Sequence, residues 1–373
     1  MASIFDYLTW RGDLDFNQSP PNPVDYAIFS QISYLPFDGI VPGPGEKEGI
    51  SLYLALNALM KKLENNKHAK KPVFMFREDP DFITALASSN RFKNCHLIGY
   101  VNHINAERQI QFSAVCVNTG DDSFSVIFRG TDLSFVGWKE DFNMAFSEII
   151  PSQIEAVKYL ENMATMVKGT LRISGHSKGG NLAVFSASRC SKNIQMRITD
   201  IYSYDAPGFH RKVFDSEGYS SIRDKIHSYI PQTSIVGMVL EQGCDYTVIR
   251  SSETGLMQHS LFSWDVTHND MIHVDDVSVG SRFVDKTLKE WLGSLDNDQR
   301  EKFIEAIYAI LSKSEVKSIN ELESSWLISV GRIMKSLGDI DASTRRLILN
   351  TIAELFRSAG RNIDTLFNRK TSD

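Results

Sequence analysis

The chain has no run of about 18 apolar residues, and its first residues lack the basic-then-apolar pattern of a secretory leader. A membrane span and a signal peptide are therefore not expected. It has no arginine-rich block, and its net charge is −6, which argues against a nucleic-acid partner. Its four cysteines, at 95, 116, 190 and 244, follow neither a metal-ligand spacing nor a disulfide framework. They read as reduced thiols of a cytoplasmic protein. No H-E-x-x-H pattern occurs, so no metal site and no cofactor is expected, although His268 and His273 stand near Asp270, Asp275 and Asp276. Internal repeats and low-complexity tracts are absent too.

What remains has ordinary globular proportions: 373 residues, 42% hydrophobic and 23% charged. Residues 171–184 carry the most information. They read Leu-Arg-Ile-Ser-Gly-His-Ser-Lys-Gly-Gly-Asn-Leu-Ala-Val, with G-x-S-x-G at Gly175-His176-Ser177-Lys178-Gly179. In a chain of this length the bare pattern arises by chance about one time in ten. Here a short apolar run precedes it and a helix-like run follows it. That is the strand–turn–helix context of a nucleophile elbow, in which a strained turn exposes the serine hydroxyl. The helix start behind it offers free N–H groups and positive dipole to a developing oxyanion.

A second strand-like segment, Val126-Ile127-Phe128, ends at Arg129-Gly130-Thr131. Gly130 allows close backbone approach, and Thr131 offers both an N–H and a hydroxyl. Such a strand end suits the second oxyanion donor, or it is an ordinary turn.

Phe128-Arg129-Gly130-Thr131, Gly137-Trp138-Lys139-Glu140-Asp141 and Gly175-His176-Ser177-Lys178-Gly179-Gly180 together resemble the fungal-type (class 3) lipases. Two further segments, Ile4 to Asp13 and Gln258 to Trp264, look similar to a bacterial branch of the lipase-like α/β-hydrolases to which no function is assigned. The resemblance covers roughly residues 1–280. It implies an α/β-hydrolase fold, with Ser177 as nucleophile and Thr131 and the Lys178 N–H as oxyanion donors. Two positions depart from the lipase pattern. Lys178 stands where lipases carry an apolar residue, and a cation beside the nucleophile would alter substrate preference. Ser234, in Thr233-Ser234-Ile235-Val236-Gly237, stands where those lipases place the acid. A serine cannot stabilise an imidazolium as a carboxylate does.

Asp205, at the end of the strand-like Ile201 to Tyr204, is the alternative acid; its other role would be to cap the Pro207-Gly208 turn. The chain order Ser…Asp…His places the base among His210, His227, His259, His268 and His273. His259 is the first choice, before an aromatic run able to anchor it, and His268 the second.

Strands are expected at 97–104, 110–117 and 124–128, with a turn at 118–122. Helices are expected near 24–33, over 51–64 and over 153–167. Alternating strands and helices over 120–240 imply a mainly parallel sheet covered on both faces. From residue 284 the pattern becomes helical, with three apolar stripes, the second stopped by Gly338 and the third by Gly360. The expected organisation is an α/β-hydrolase domain over 1–283 and a helical subdomain over 284–373. Two functions follow from this reading. One is a serine esterase acting on a small acyl-ester or lipid-like substrate, or passing the acyl group to an acceptor other than water. The other is a non-catalytic hydrolase fold that binds a partner through its C-terminal helices.

Overall fold

The computed structural model describes residues 2–46, 48–65, 76–132, 135–144, 147–234, 236–253 and 255–278, with isolated positions at 286, 287, 290, 299 and 346. The helical subdomain expected over 284–373 lies outside the described residues apart from those few positions.

The described residues build an eight-stranded sheet whose spatial order follows the chain. Helices α1 (Ile4–Arg11) and α2 (Pro23–Ile32) come first, each opened by a side-chain cap from Ser3 or Asn22. Strand β1 (Ile50–Ser51) leads into α3 (Leu52–Asn65), followed by α4 (Asp79–Ser88) and the single turn α5 (Asn90–Lys93). Then come β2 (His96–Asn105), β3 (Ile110–Asn118) and β4 (Ser123–Phe128); successive strands from β1 to β4 pair antiparallel. The β3–β4 turn needs left-handed backbone at Gly120 and Asp122, residue types that tolerate it. After β4, helices α6 (Phe135–Met144) and α7 (Pro151–Met166) carry the chain to β5 (Thr170–His176). Strand β5 runs parallel to β4, as a helical crossover permits. Helix α8 (Lys178–Arg189) and β6 (Ile198–Tyr204), β7 (Ile226–Pro231) and β8 (Tyr246–Ile249) extend the parallel half.

Both faces of the sheet are covered. On β3, Val115 and Val117 join the core beneath α1–α4, while Ala114 and Cys116 join the core beneath α7 and α8. This period-2 division is why the strand is buried at every position but its last. The first layer is pinned by a buried ion pair. Arg91 grips Asp25 through two bonds, of 2.7 and 2.6 Å, and both side chains are fully enclosed. Its remaining N–H groups bind carbonyls of Leu14, Ser19 and Pro20, and Tyr7 donates to Asp25 at 2.8 Å. One guanidinium thereby fastens the α1–α2 connection to the helical layer.

The sequence expectations for β2, β3, β4, the β3–β4 turn, α2, α3 and α7 agree with these spans to within a few residues. The element that best positions chemistry is β5, flanked by β4 and β6, whose carboxyl ends all reach the same edge of the sheet.

Candidate active site

Ser177 sits between β5 and α8 with φ 59° and ψ −134°, a conformation that costs a non-glycine residue free energy. Two glycines permit the turn. A Cβ on Gly175 would stand 2.2 Å from the Gly179 carbonyl carbon, and one on Gly179 would stand 2.1 Å from the Phe128 oxygen. The elbow strand, the following helix and β4 therefore approach more closely than any side chain allows. The Ser177 N–H donates to the Tyr204 carbonyl at 2.9 Å, tying the turn to β6. Among the described residues its hydroxyl has no hydrogen-bond partner, and the residue is half-buried.

The loop after β4 lies against this turn. A Cβ on Gly130 would fall 3.1 Å from Ser177 Cβ and 2.1 Å from Tyr34 Oη, so glycine is required by contact. The Thr131 hydroxyl donates to Asp141 Oδ1 at 2.5 Å. Burial lifts the Asp141 carboxyl to about 6, although Lys178 and the Thr131 hydroxyl favour its charged form.

Asp205 follows β6 directly, with a left-handed φ of 42° and its N–H on the Tyr229 carbonyl. Its carboxylate is almost fully buried, with both oxygens bonded. Oδ2 accepts from His259 Nδ1 at 2.6 Å, and Oδ1 accepts from Ser234 Oγ at 2.5 Å and Gly237 N at 3.1 Å. Ser234 therefore supports the carboxylate from the position where the lipase pattern has an acid. With Nδ1 donating to Asp205, His259 keeps Nε2 for a second partner.

His259 closes a 3-10 turn, Gly255–His259, that is held on both sides. Trp264 Nε1 donates to the Gln258 carbonyl at 2.8 Å, and Gln258 Oε1 accepts the Thr233 N–H at 2.8 Å. The His259 carbonyl accepts from His176 Nε2 at 2.7 Å. A carbonyl only accepts, so His176 carries its proton on Nε2, and its Nδ1 accepts from Tyr34 Oη at 3.0 Å. Burial, then the neighbouring His259, holds the His176 pKa well below the usual histidine value. The two imidazoles lie with ring centres 4.4 Å apart. The residue just before Ser177 thus carries the loop that bears His259.

The other candidate histidines are engaged elsewhere. His268 stacks on Trp10, and its carbonyl accepts from Arg11. His210 bonds the Met144 carbonyl, His227 pairs with Asp200, and His273 pairs with Asp270. The histidine on Asp205 is His259.

Lys178 differs from the sequence reading. Its side chain is 1% exposed and points into the fold, so its charge does not face a substrate as expected. Nζ donates to the Gln111 carbonyl at 3.0 Å, to Gln111 Oε1 at 2.7 Å and to Glu140 Oε2 at 2.9 Å. The roles of His176, Tyr34, Glu140 and Asp141 are not legible in the sequence. His176, Glu140 and Asp141 fall within the motifs, but nothing in those motifs names a partner for them.

Among the described residues, no three His, Cys, Asp or Glu side chains group as a metal site would require, and no helix is long and apolar enough to cross a membrane. All four cysteines are free.

A mixed sheet with a parallel half, a strained serine between strand and helix, and acid and histidine loops at one sheet edge define an α/β-hydrolase fold. The chain belongs to the Mbeg1-like family, a lipase-like family whose sequence profile matches residues 86–309. Solved structures similar to it include the native propeptide complex of Rhizomucor miehei lipase, at 10% identity over 60% of this chain and 67% of that one. M37 lipase is similar at 12% over 58% and 70%, and Yarrowia lipolytica Lip2 lipase at 13% over 69% and 85%. Each has a TM-score of 0.36. No curated protein matches the chain.

Proposed function

We propose that the protein is a serine carboxylic-ester hydrolase with Ser177 as nucleophile, His259 as base and Asp205 as acid. The observation that carries this reading is the 2.6 Å bond from His259 Nδ1 to the buried Asp205 carboxylate, on a loop fastened to the residue before Ser177. In the proposed reaction His259 Nε2 takes the Ser177 proton as Oγ attacks the acyl carbonyl. Asp205 keeps the imidazole in the tautomer this requires and stabilises the imidazolium. The N–H groups of Thr131 and Lys178 receive the oxyanion, a contribution of about 3 kcal/mol for a well-placed donor. The imidazolium then protonates the leaving alcohol, and water, activated by the same base, releases the acid from Ser177.

The substrate in this reading is a small acyl ester or a lipid-like ester, and no cofactor takes part. Four free cysteines support a reducing, cytoplasmic setting. The wording of the N-terminal and Gln258–Trp264 segments supports a place in the bacterial branch. The domain reading is an esterase core over 1–283 carrying a helical subdomain over 284–373.

Labelling with a fluorophosphonate probe tests the assignment. Wild type labels, whereas Ser177→Ala and His259→Ala do not. A folded wild type that never labels would instead favour a hydrolase fold used for binding through its C-terminal segment.

A further inference from the structure

The buried charge cluster behind the oxyanion loop has no part in the proton transfers above. Lys178 uses three donor bonds, matching the three N–H groups of an ammonium, on Gln111 and Glu140. Glu140 is fully enclosed and equally saturated. Oε1 accepts the N–H and hydroxyl of Ser152 at 2.9 and 2.6 Å, and Oε2 accepts the Gln111 N–H at 3.1 Å in addition to Lys178. Four elements, β3, α6, α7 and α8, are thus joined at one point. A buried pair of this kind adds little net stability, because desolvation offsets most of its attraction. An apolar residue would serve packing at least as well.

What an apolar residue would not supply is the next contact. Lys178 Nζ lies 3.8 Å from Asp141 Oδ1, the oxygen that accepts the Thr131 hydroxyl. We propose that Lys178 is a positioning residue for the oxyanion loop, holding Asp141 as a carboxylate so that the Thr131 hydroxyl stays tied down in the loop whose Gly130 packs against Ser177. The proposal rests on the serine-hydrolase reading.

Several charged or titratable groups bear on Asp141. Lys178 reaches it from α8, His259 from the 3-10 turn and Glu140 from its own helix, and it couples to Tyr34 just after α2. Arg129 and Asp132, in the oxyanion loop, are paired with each other. Glu140 pushes the Asp141 proton affinity up, and Lys178 and His259 pull it down. A protonated Asp141 still accepts through its carbonyl oxygen, but it loses the charge that strengthens the bond and so holds the Thr131 hydroxyl less firmly. The active form therefore has Asp141 ionised, and reactivity rises as pH passes upward through its pKa. Taking Lys178 away moves that limb to higher pH; taking Glu140 away moves it to lower pH.

The test is the pH dependence of fluorophosphonate inactivation for the full chain, between pH 5 and pH 9. The variants are Glu140→Gln, Lys178→Met with Glu140→Gln, and each of these combined with Asp141→Asn. Melting curves accompany every profile. The acid limb of the Lys178→Met/Glu140→Gln protein is expected about one pH unit above that of Glu140→Gln alone. In the Asp141→Asn background the two profiles coincide. Lys178→Arg retains the charge, so its limb stays in place even where its rate falls. That comparison stands if the double variant does not fold. Equal limbs in Glu140→Gln and the double variant, or a Lys178→Arg limb displaced by a full unit, overturn the proposal. A purely structural lysine lowers the rate at every pH without moving the limb. If wild type never labels, the hydrolase reading fails and takes the proposal with it. If wild type labels and the limb is unmoved, only the proposal fails.

Discussion

Ser234 Oγ donates to Asp205 Oδ1 at 2.5 Å, across 29 residues of sequence, while His259 holds the other oxygen of the same carboxylate. The serine stands where the lipase pattern has an acid, and it bonds the carboxylate proposed here as the acid. Asp205→Asn presents an amide to Nδ1 and favours the wrong imidazole tautomer. Ester hydrolysis by that variant is expected to fall by about 10⁴-fold with folding intact. Ser234→Ala leaves a buried carboxylate oxygen one bond short and is expected to lower stability by roughly 1–3 kcal/mol. Chemical denaturation measures the second effect. A midpoint equal to wild type would show that Ser234 does not support Asp205.

Tyr34, His176 and the His259 carbonyl form a continuous chain of hydrogen bonds. His176→Phe keeps an aromatic ring but removes the N–H that holds the loop bearing His259. A displaced base costs on the order of tenfold to a hundredfold in kcat, with KM little changed. Steady-state kinetics on a p-nitrophenyl ester distinguishes this from lost binding. A raised KM at constant kcat would place His176 in substrate recognition instead.

Asp141 gives stability a particular pH dependence. Its folded pKa, about 6, lies above the ordinary 3.8, so between these values the native state holds more protons than the unfolded chain. This group's contribution is fully present below about pH 4 and is lost as pH rises through about 6. Asp121 and Asp200 are shifted down, so their contributions run the other way. The difference between wild type and Asp141→Asn isolates the effect. Relative to the variant, wild-type Tm is expected to decline from about pH 4 to about pH 6.5 and then level off. A flat difference curve would contradict the assignment.

Arg91 offers a control remote from the chemistry. Arg91→Met strands the buried Asp25 carboxylate and several carbonyls, at a cost of about 3–5 kcal/mol. Arg91→Met with Asp25→Asn removes the unpaired charge and is expected to recover part of that loss. The folded fraction of either variant should label at Ser177 at the wild-type rate. Urea denaturation combined with probe labelling measures both, and slowed labelling in folded protein would link this anchor to the site.

Much of this arrangement is legible in the sequence, and the reason is local. Gly175 and Gly179 leave room for one kind of turn, the apolar residues at 126–128 and at 171 and 173 are buried in strands, and Gly130 fills a position closed to any Cβ. Backbone sterics and period-2 burial act within a few residues, so the text of the chain records them. A strand end points to Asp205, chain order narrows the base to five histidines and the aromatic run after His259 favours that one, and the two stand within hydrogen-bond distance. Partner choice across the fold is another matter. That Lys178 turns inward to Glu140 and Gln111, that His176 carries the His259 loop, and that Ser234 serves Asp205 depend on side chains 29 to 83 residues apart in sequence meeting in space. A lysine beside a nucleophile reads as a surface charge until a buried carboxylate is found within reach of it. The sequence by itself determined most of the strands, the elbow and the types of reactive group. Only the tertiary structure decided their partners, because burial and pairing energies belong to surroundings assembled from distant segments.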